Sequence, residues 1–210
     1  MITISGFEKS YQGRLALKIP SLALPGGVYW LRGANGSGKS TLLKAMAGLL
    51  DFKGSIVLQE KVDLKKQDVA YRRRVNFAEA EPVFPEFLTG QEMVSLFAAA
   101  KRAPATQPQA YLDSIGLTPD LERPVGAYSS GMLKKLSLAL AFLGQPDWIL
   151  LDEPLITMDA AALEVLYQWI AACRAAGVHF ILSSHQALDA TFLPGLQTLV
   201  VEDKTVKPLA

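Results

Sequence analysis

Three groups of residues in this chain have types and spacings that could do chemistry. The stretch Gly33-Ala34-Asn35-Gly36-Ser37-Gly38-Lys39-Ser40-Thr41 fits the phosphate-binding pattern GxxxxGK(S/T) without a mismatch. Gly33 and Gly38 permit backbone angles that wrap successive N–H groups around a phosphate, and Lys39 supplies a mobile positive charge to the β and γ phosphates. Ser40 offers a hydroxyl to the magnesium ion that accompanies a nucleoside triphosphate. Farther on, Trp148-Ile149-Leu150-Leu151-Asp152-Glu153-Pro154 is an apolar strand ending in two carboxylates. Open α/β sheets bind their ligands at that strand end, so Asp152 is expected to hold the metal and Glu153 to orient or deprotonate an attacking water. His185 follows Phe180-Ile181-Leu182 and Ser183-Ser184, which places it at the same sheet edge. Alone, such a histidine is more often a surface or satisfied core residue.

The elements that must position these groups are legible in outline. Val28 to Leu31 reads as a short strand and Ser40 to Leu49 as a helix whose N-terminus faces the phosphate. Ile2 and Ile4, then Leu15, Leu17 and Ile19, alternate with polar or small residues, predicting two strands joined by a turn at Gln12 and Gly13, with Tyr11 at the junction. Gly54–Leu58 and Val75–Ala78 read as further strands. Beyond Pro82 and Pro85 the pattern becomes helical. Thr89-Gly90-Gln91-Glu92 has the form of a capping box opening a helix through Val94, Phe97 and Ala98, and a second helix runs around Gln109 to Ile115 before Gly116. The region from about 86 to 144 is therefore expected to be a mostly helical subdomain inserted into the α/β core. After the carboxylates, Leu163, Leu166, Tyr167 and Ile170 mark a helix that Asp159 is placed to cap. Val178–Leu182 and Leu199–Val201 complete a largely parallel sheet covered on both faces.

Composition narrows the classes. A length of 210 residues fits one domain. Half of the residues are hydrophobic, yet no run reaches the ~18 residues of a membrane-spanning helix. The alternating start, Met1 to Ser5, lacks the basic and apolar regions of a signal peptide, so a cytoplasmic location is expected. A net charge of +1 offers no footprint for nucleic acid. The basic stretch Lys61 to Arg74 is interrupted by Asp63 and Asp68 and reads as a solvated loop and helix face. Two histidines and one cysteine are too few for a structural zinc site, and Cys173 reads as a small buried residue on a helix.

In order along the chain, the phosphate loop, Tyr128-Ser129-Ser130-Gly131-Met132, Leu150-Leu151-Asp152-Glu153-Pro154, Asp159 and His185 resemble the ordered motifs of the ATP-binding cassette family of ATPases. The resemblance spans about Ile2 to Val201. It implies a P-loop NTPase core with a mostly parallel sheet, an N-terminal antiparallel β subdomain and the helical insertion, in a single domain over 1–210. It also implies roles: Tyr11 stacking on adenine, Ser129 to Gly131 meeting the γ-phosphate of a second subunit's ATP, Asp159 contacting that subunit, and His185 sensing the γ-phosphate. Two copies would then pair head to tail around two ATP molecules with Mg2+. A serine opening the helix from Met132 to Leu143 would independently present N–H groups and a positive dipole end to an anion.

Two departures from the family pattern stand out. Tyr128, Ser130 and Met132 replace three residues of the usual Leu-Ser-Gly-Gly-Gln signature, and Ser130 adds a side chain where close phosphate approach favours glycine. In Phe77-Ala78-Glu79-Ala80-Glu81-Pro82, Ala80 stands at the position of the family's metal-contacting glutamine, with Glu79 and Glu81 as neighbouring oxygen donors. The resemblance implies an ATPase subunit peripheral at the inner face of the membrane, coupled through the helical subdomain to a separate permease. The Ser-Ser-Gly-Met form followed by Lys134-Lys135-Leu136 resembles export-type cassettes. The alternative is an ATPase without a transport role, acting in cofactor assembly or similar. A small-molecule kinase would leave the signature-like helix and His185 unexplained.

Overall fold

The computed structural model describes residues 1–186, 188 and 191–209. The chain opens with an antiparallel hairpin of β1 (Ile2–Tyr11) and β2 (Arg14–Leu24). Its turn takes left-handed angles at both Gln12 (φ 49°) and Gly13 (φ 77°), the twist that lets two strands reverse in two residues. β3 (Val28–Arg32) leads through the glycine-rich loop into α1 (Lys39–Met46). α1 stops short of the expected Leu49 because Gly48 turns left-handed at φ 75°. β4 (Lys53–Leu58) returns to pair with β1, and the short β5 (Val62–Asp63) completes an antiparallel sheet in the order β2-β1-β4-β5.

α2 (Asp68–Arg74) then runs directly into β6 (Val75–Ala78). From β6 the chain makes a long helical excursion, α3 (Gly90–Lys101), α4 (Gln107–Ser114) and α5 (Ser130–Ala141), before returning as β7 (Trp148–Leu151). β6 and β7 are parallel neighbours, so everything between them is an insertion at one sheet position. α6 (Ala160–Ala175), β8 (His179–Ser183), β9 (Leu196–Glu202) and β10 (Thr205–Pro208) follow. The second sheet has the order β10-β9-β3-β8-β7-β6 and is parallel except for β10.

Both faces of this sheet are buried, which explains the unbroken apolar runs of its central strands. Ile149, Leu151, Phe180 and Leu182 pack into one core with α3 to α6, including Phe142, Leu166 and Ile170. Trp148, Leu150, Ile181 and Leu31 face the other way, into a core shared with α1 and the antiparallel sheet through Leu42, Leu43, Ile4 and Ile19. The phosphate loop and the carboxylates thus hang from strands fixed on two sides.

The stretch from Lys61 to Arg74 is an exposed loop and helix face, as expected: Lys61, Lys65, Lys66, Arg72 and Arg73 are exposed, Lys65 donates from Nζ to the carbonyls of Phe52 (2.6 Å) and Gly54 (2.8 Å), and the half-buried Arg74 pairs with Asp147 at 2.5 Å. One expectation needs correcting. Cys173 is only partly buried on α6, with its Sγ 3.8 Å from the Tyr111 hydroxyl. Among the described residues no helix is long and apolar enough to cross a membrane.

Candidate active site at the sheet edge

The phosphate loop is shaped by constraints that only glycine meets at two points. A side chain at Gly33 would lie 2.6 Å from Ser37 Oγ and 2.7 Å from the Val201 carbonyl, and Gly38 caps α1 at φ 111°. Because Gly38 brings no side-chain cap and the first turn of α1 carries no acid, the N–H groups there are open to an anion. Ser37 Oγ is buried without a partner. Asn35 and Gly36 form the exposed tip, and Ser40 and Thr41 lie half-buried on the first turn. Lys39 folds back across the loop, donating to the carbonyls of Gly33 (2.9 Å) and Ala34 (3.3 Å).

The carboxylates sit just beyond β7. Asp152 is 1% exposed; its Oδ1 accepts from Ser183 Oγ at 2.5 Å, while Oδ2 is buried without a partner. A buried carboxylate oxygen left in this state is costly, and a cation is what relieves it. The unpartnered Asp152 Oδ2 is therefore an oxygen donor of the kind that Mg2+ takes. Glu153 takes a left-handed backbone at φ 43°, a conformation that costs about 1–2 kcal/mol for a residue with a side chain. That turn aims its carboxylate back over the site. Oε1 lies 3.9 Å from Lys39 Nζ, and Oε2 meets His185 Nδ1 at 3.0 Å and the His185 amide at 3.4 Å. The fold thus brings Lys39, Asp152, Glu153 and His185 to one point from α1, β7 and β8.

Ser183 was not among the residues expected from sequence. It accepts from the Glu153 amide at 2.9 Å while donating to Asp152, so one hydroxyl orients both acids. The signal was the register: Leu151 lies beside Leu182, which puts the next residues, Asp152 and Ser183, side by side.

Tyr11 and the signature-like segment make their contacts elsewhere. Tyr11 is half-exposed at the hairpin tip, with Lys9 Nζ 5.0 Å from its ring centre. Ser129 caps α5, its Oγ accepting from the Met132 amide at 3.3 Å, so the helix starts at Ser130, earlier than the expected Met132. Ser129 and Ser130 are exposed, leaving the positive end of α5 facing outward. Tyr128 anchors this segment beneath: it is buried and its hydroxyl donates to the Asp120 carbonyl at 2.8 Å. Asp159 caps α6 through the Ala162 amide (2.8 Å) and pairs with Lys135 of α5 (2.9 Å). Those two contacts, the amide first, hold its carboxyl below the usual carboxylate range.

The loop after β6 is held by the second residue missed from sequence, Lys134 of α5. Glu79 pairs with Lys44 of α1, and the carbonyls of Glu79 and Ala80 accept from Lys134 Nζ at 2.9 and 3.2 Å. Lys134 reaches in from α5 and also donates to the Asp152 carbonyl at 3.0 Å. Burial pulls its pKa down to about 8, against the opposing pull of Asp152, Glu153 and Glu79. A lysine three residues from Ser137 and four from Leu138 lies on the helix face that packs inward, and that placement was its sequence signal.

Comparison with known proteins places this geometry. The family described as ABC transporter matches residues 17–156. The chain is 26% identical over 207 residues to the lantibiotic transport ATP-binding protein SrtF of Streptococcus pyogenes, covering 98% of this chain and 89% of that protein. It is 30% identical over 189 residues to the cytochrome c biogenesis ATP-binding export protein CcmA of Legionella pneumophila, covering 90% and 94%. Among solved structures, the ATP-binding subunit of an ABC transporter superposes with a TM-score of 0.88 at 25% identity, over 99% of this chain and 88% of that one. A dimeric ATP-binding cassette bound to ADP and Pi shares the fold with a TM-score of 0.82 at 20% identity, over 100% of this chain and 99% of that one. With the phosphate loop, the paired acids and the fold in agreement, the chain belongs to the ABC transporter family and is one of its ATPases.

Proposed function

We propose that this ATPase is the subunit that powers a separate membrane permease, with two copies closing head to tail on two ATP molecules. The observation that carries the reading is the meeting of Lys39, Glu153 and His185 at one sheet edge, beside an Asp152 oxygen with no partner. Lys39 leaves the Gly33 and Ala34 carbonyls for the β and γ phosphates, while Gly33, Asn35, Gly36, Ser37, Gly38, Ser40 and Thr41 supply the cradle. Glu153 takes the proton of the attacking water, and His185 holds Glu153 and touches the γ-phosphate. Asp152 and Ser40 would hold Mg2+, which supplies charge neutralisation of the phosphates when bound. Tyr11 stacks on adenine. Ser129, Ser130 and Gly131 complete the site of the opposite copy, with Asp159 at the contact between copies.

The permease reading draws on the groove between the loop after β6 and α3. It is a cavity of about 400 Å3 lined by Leu49, Phe77, Val83, Phe84, Met93 and Phe97, and Val83 and Phe87 stand almost fully exposed beside it. Such an apolar surface fits a short cytoplasmic segment of a membrane protein. The chain would then sit peripherally at the inner face of the membrane. Outward transport is the direction we favour, from the Ser-Ser-Gly-Met signature and from the transport and export names of the two relatives. Co-expression with the proteins encoded beside it tests the partner. Retention of a multi-span membrane protein that Val83→Asp with Phe87→Asp releases is the expected result; a complex with water-soluble proteins alone favours the assembly role instead.

A further inference from the structure

The family's glutamine is absent at Ala80, yet the loop it would occupy is not left loose. Lys134 is 1% exposed, and each of its three N–H donors has one main-chain carbonyl: Glu79, Ala80 and Asp152. An ammonium brought this deep forfeits its hydration, and an apolar side chain of the same length would avoid that loss. Stability alone therefore does not account for a lysine on a face of α5 shared with Leu138 and Ala141. What the ammonium adds is geometry. The Asp152 carbonyl belongs to the peptide that continues into Glu153, so fixing it fixes the start of the left-handed turn that aims the Glu153 carboxylate. The other two carbonyls belong to the loop that ion-pairs with Lys44 of α1 through Glu79. α5 itself opens at Ser129 and Ser130, one turn before Lys134.

We propose that Lys134 is a positioning residue that staples the loop after β6 and the Asp152–Glu153 peptide to the signature helix, supplying from α5 the polar link that Ala80 cannot. Movement of α5 and the aim of Glu153 are thereby coupled through one side chain. The inference rests on Glu153 acting at the ATP site, as proposed above.

The test measures ATP turnover against ATP concentration for the full chain, with Lys134→Met and Lys134→Gln beside the wild type, together with melting temperature and hydrogen exchange. Lys134→Met is expected to fold, with kcat lowered roughly tenfold or more and KM for ATP moved by less than about threefold, as befits a displaced catalytic group. Lys134→Gln, which keeps an amide donor, is expected to fall between them. In both variants, the amides of Glu79, Ala80, Glu81, Asp152 and Glu153 should exchange faster while those of β8 do not. Wild-type kcat in Lys134→Met overturns the proposal, as does a change confined to melting temperature. Failure of Lys134→Gln to fold also overturns it, because the residue would then be a prop of the whole fold. Absence of turnover in the wild type would instead count against the active-site assignment, so the two failures are distinguishable.

Discussion

Glu153 and His185 are joined by a 3.0 Å contact between Oε2 and Nδ1, made from a glutamate whose backbone is left-handed. Most of the backbone cost is recovered only if the carboxylate has partners waiting, and His185 with Lys39 provides them. His185→Ala should therefore lower kcat roughly 10- to 100-fold with little change in ATP affinity, because Glu153, the base we propose, is kept but no longer held. Glu153→Gln should stop turnover more severely, retain ATP binding, and accumulate a nucleotide-dependent dimer visible by light scattering. Turnover at the wild-type rate in Glu153→Gln would remove this residue from the chemistry.

Ser183 offers a sharper separation of roles. Its hydroxyl serves Asp152 and the Glu153 amide at once, so Ser183→Ala leaves both a buried carboxylate oxygen and an N–H without partners. A loss of about 1–3 kcal/mol in folding stability is expected from that, read by denaturant unfolding. If Asp152 holds Mg2+ as proposed, Mg2+ titration of ATPase activity should also shift to higher concentration, since its carboxylate would be mispointed. A variant with unaltered stability would show that the hydroxyl is not needed to hold the acids.

The parts of this site that could be read along the chain are those written as local pattern. The phosphate loop, the apolar strand before Asp152, the capping box at Thr89 and the cap at Asp159 each depend on residues within a few positions, and each forms in the fold: Thr89 and Glu92 make both reciprocal bonds. Ser183 and Lys134 escaped because their partners lie 31 and 55 residues away, across β7 and across the loop after β6. Only strand register and helix packing reveal such pairs.

Gly90 and Tyr128 form a long-range pair of a different kind. A methyl group at Gly90 would lie 2.2 Å from the Tyr128 hydroxyl, so the first residue of α3 must lack a side chain for Tyr128 to seat the signature segment. Gly90→Ala should cost about 1–3 kcal/mol of stability, the usual range for overpacking. In a Tyr128→Phe background, where the hydroxyl is gone, most of that cost should vanish. Additive losses in the double variant would mean that α3 shifts to accommodate the methyl without involving Tyr128.

Lys101 gives the chain a titration that can be read in stability. Its Nζ is held among the carbonyls of Arg72 and Val75, and burial, with the nearby Arg72 charge adding to it, lowers its pKa to about 8. Below that pH both folded and unfolded chains carry the proton, and the folded state bears the full cost of a desolvated ammonium. Above it, up to the ordinary lysine value of 10.5, the unfolded chain binds more protons than the folded one, so stability rises with pH. Tyr71, whose buried hydroxyl keeps its proton to higher pH than in the unfolded chain, opposes this rise only above about pH 10 and is common to both proteins compared. The stability of wild type relative to Lys101→Met should therefore increase between pH 8 and 10 by about 1–2 kcal/mol, measured by chemical denaturation at each pH. A difference that stays flat across this interval would place the ammonium in water, contrary to its position between the carbonyls of α2 and β6.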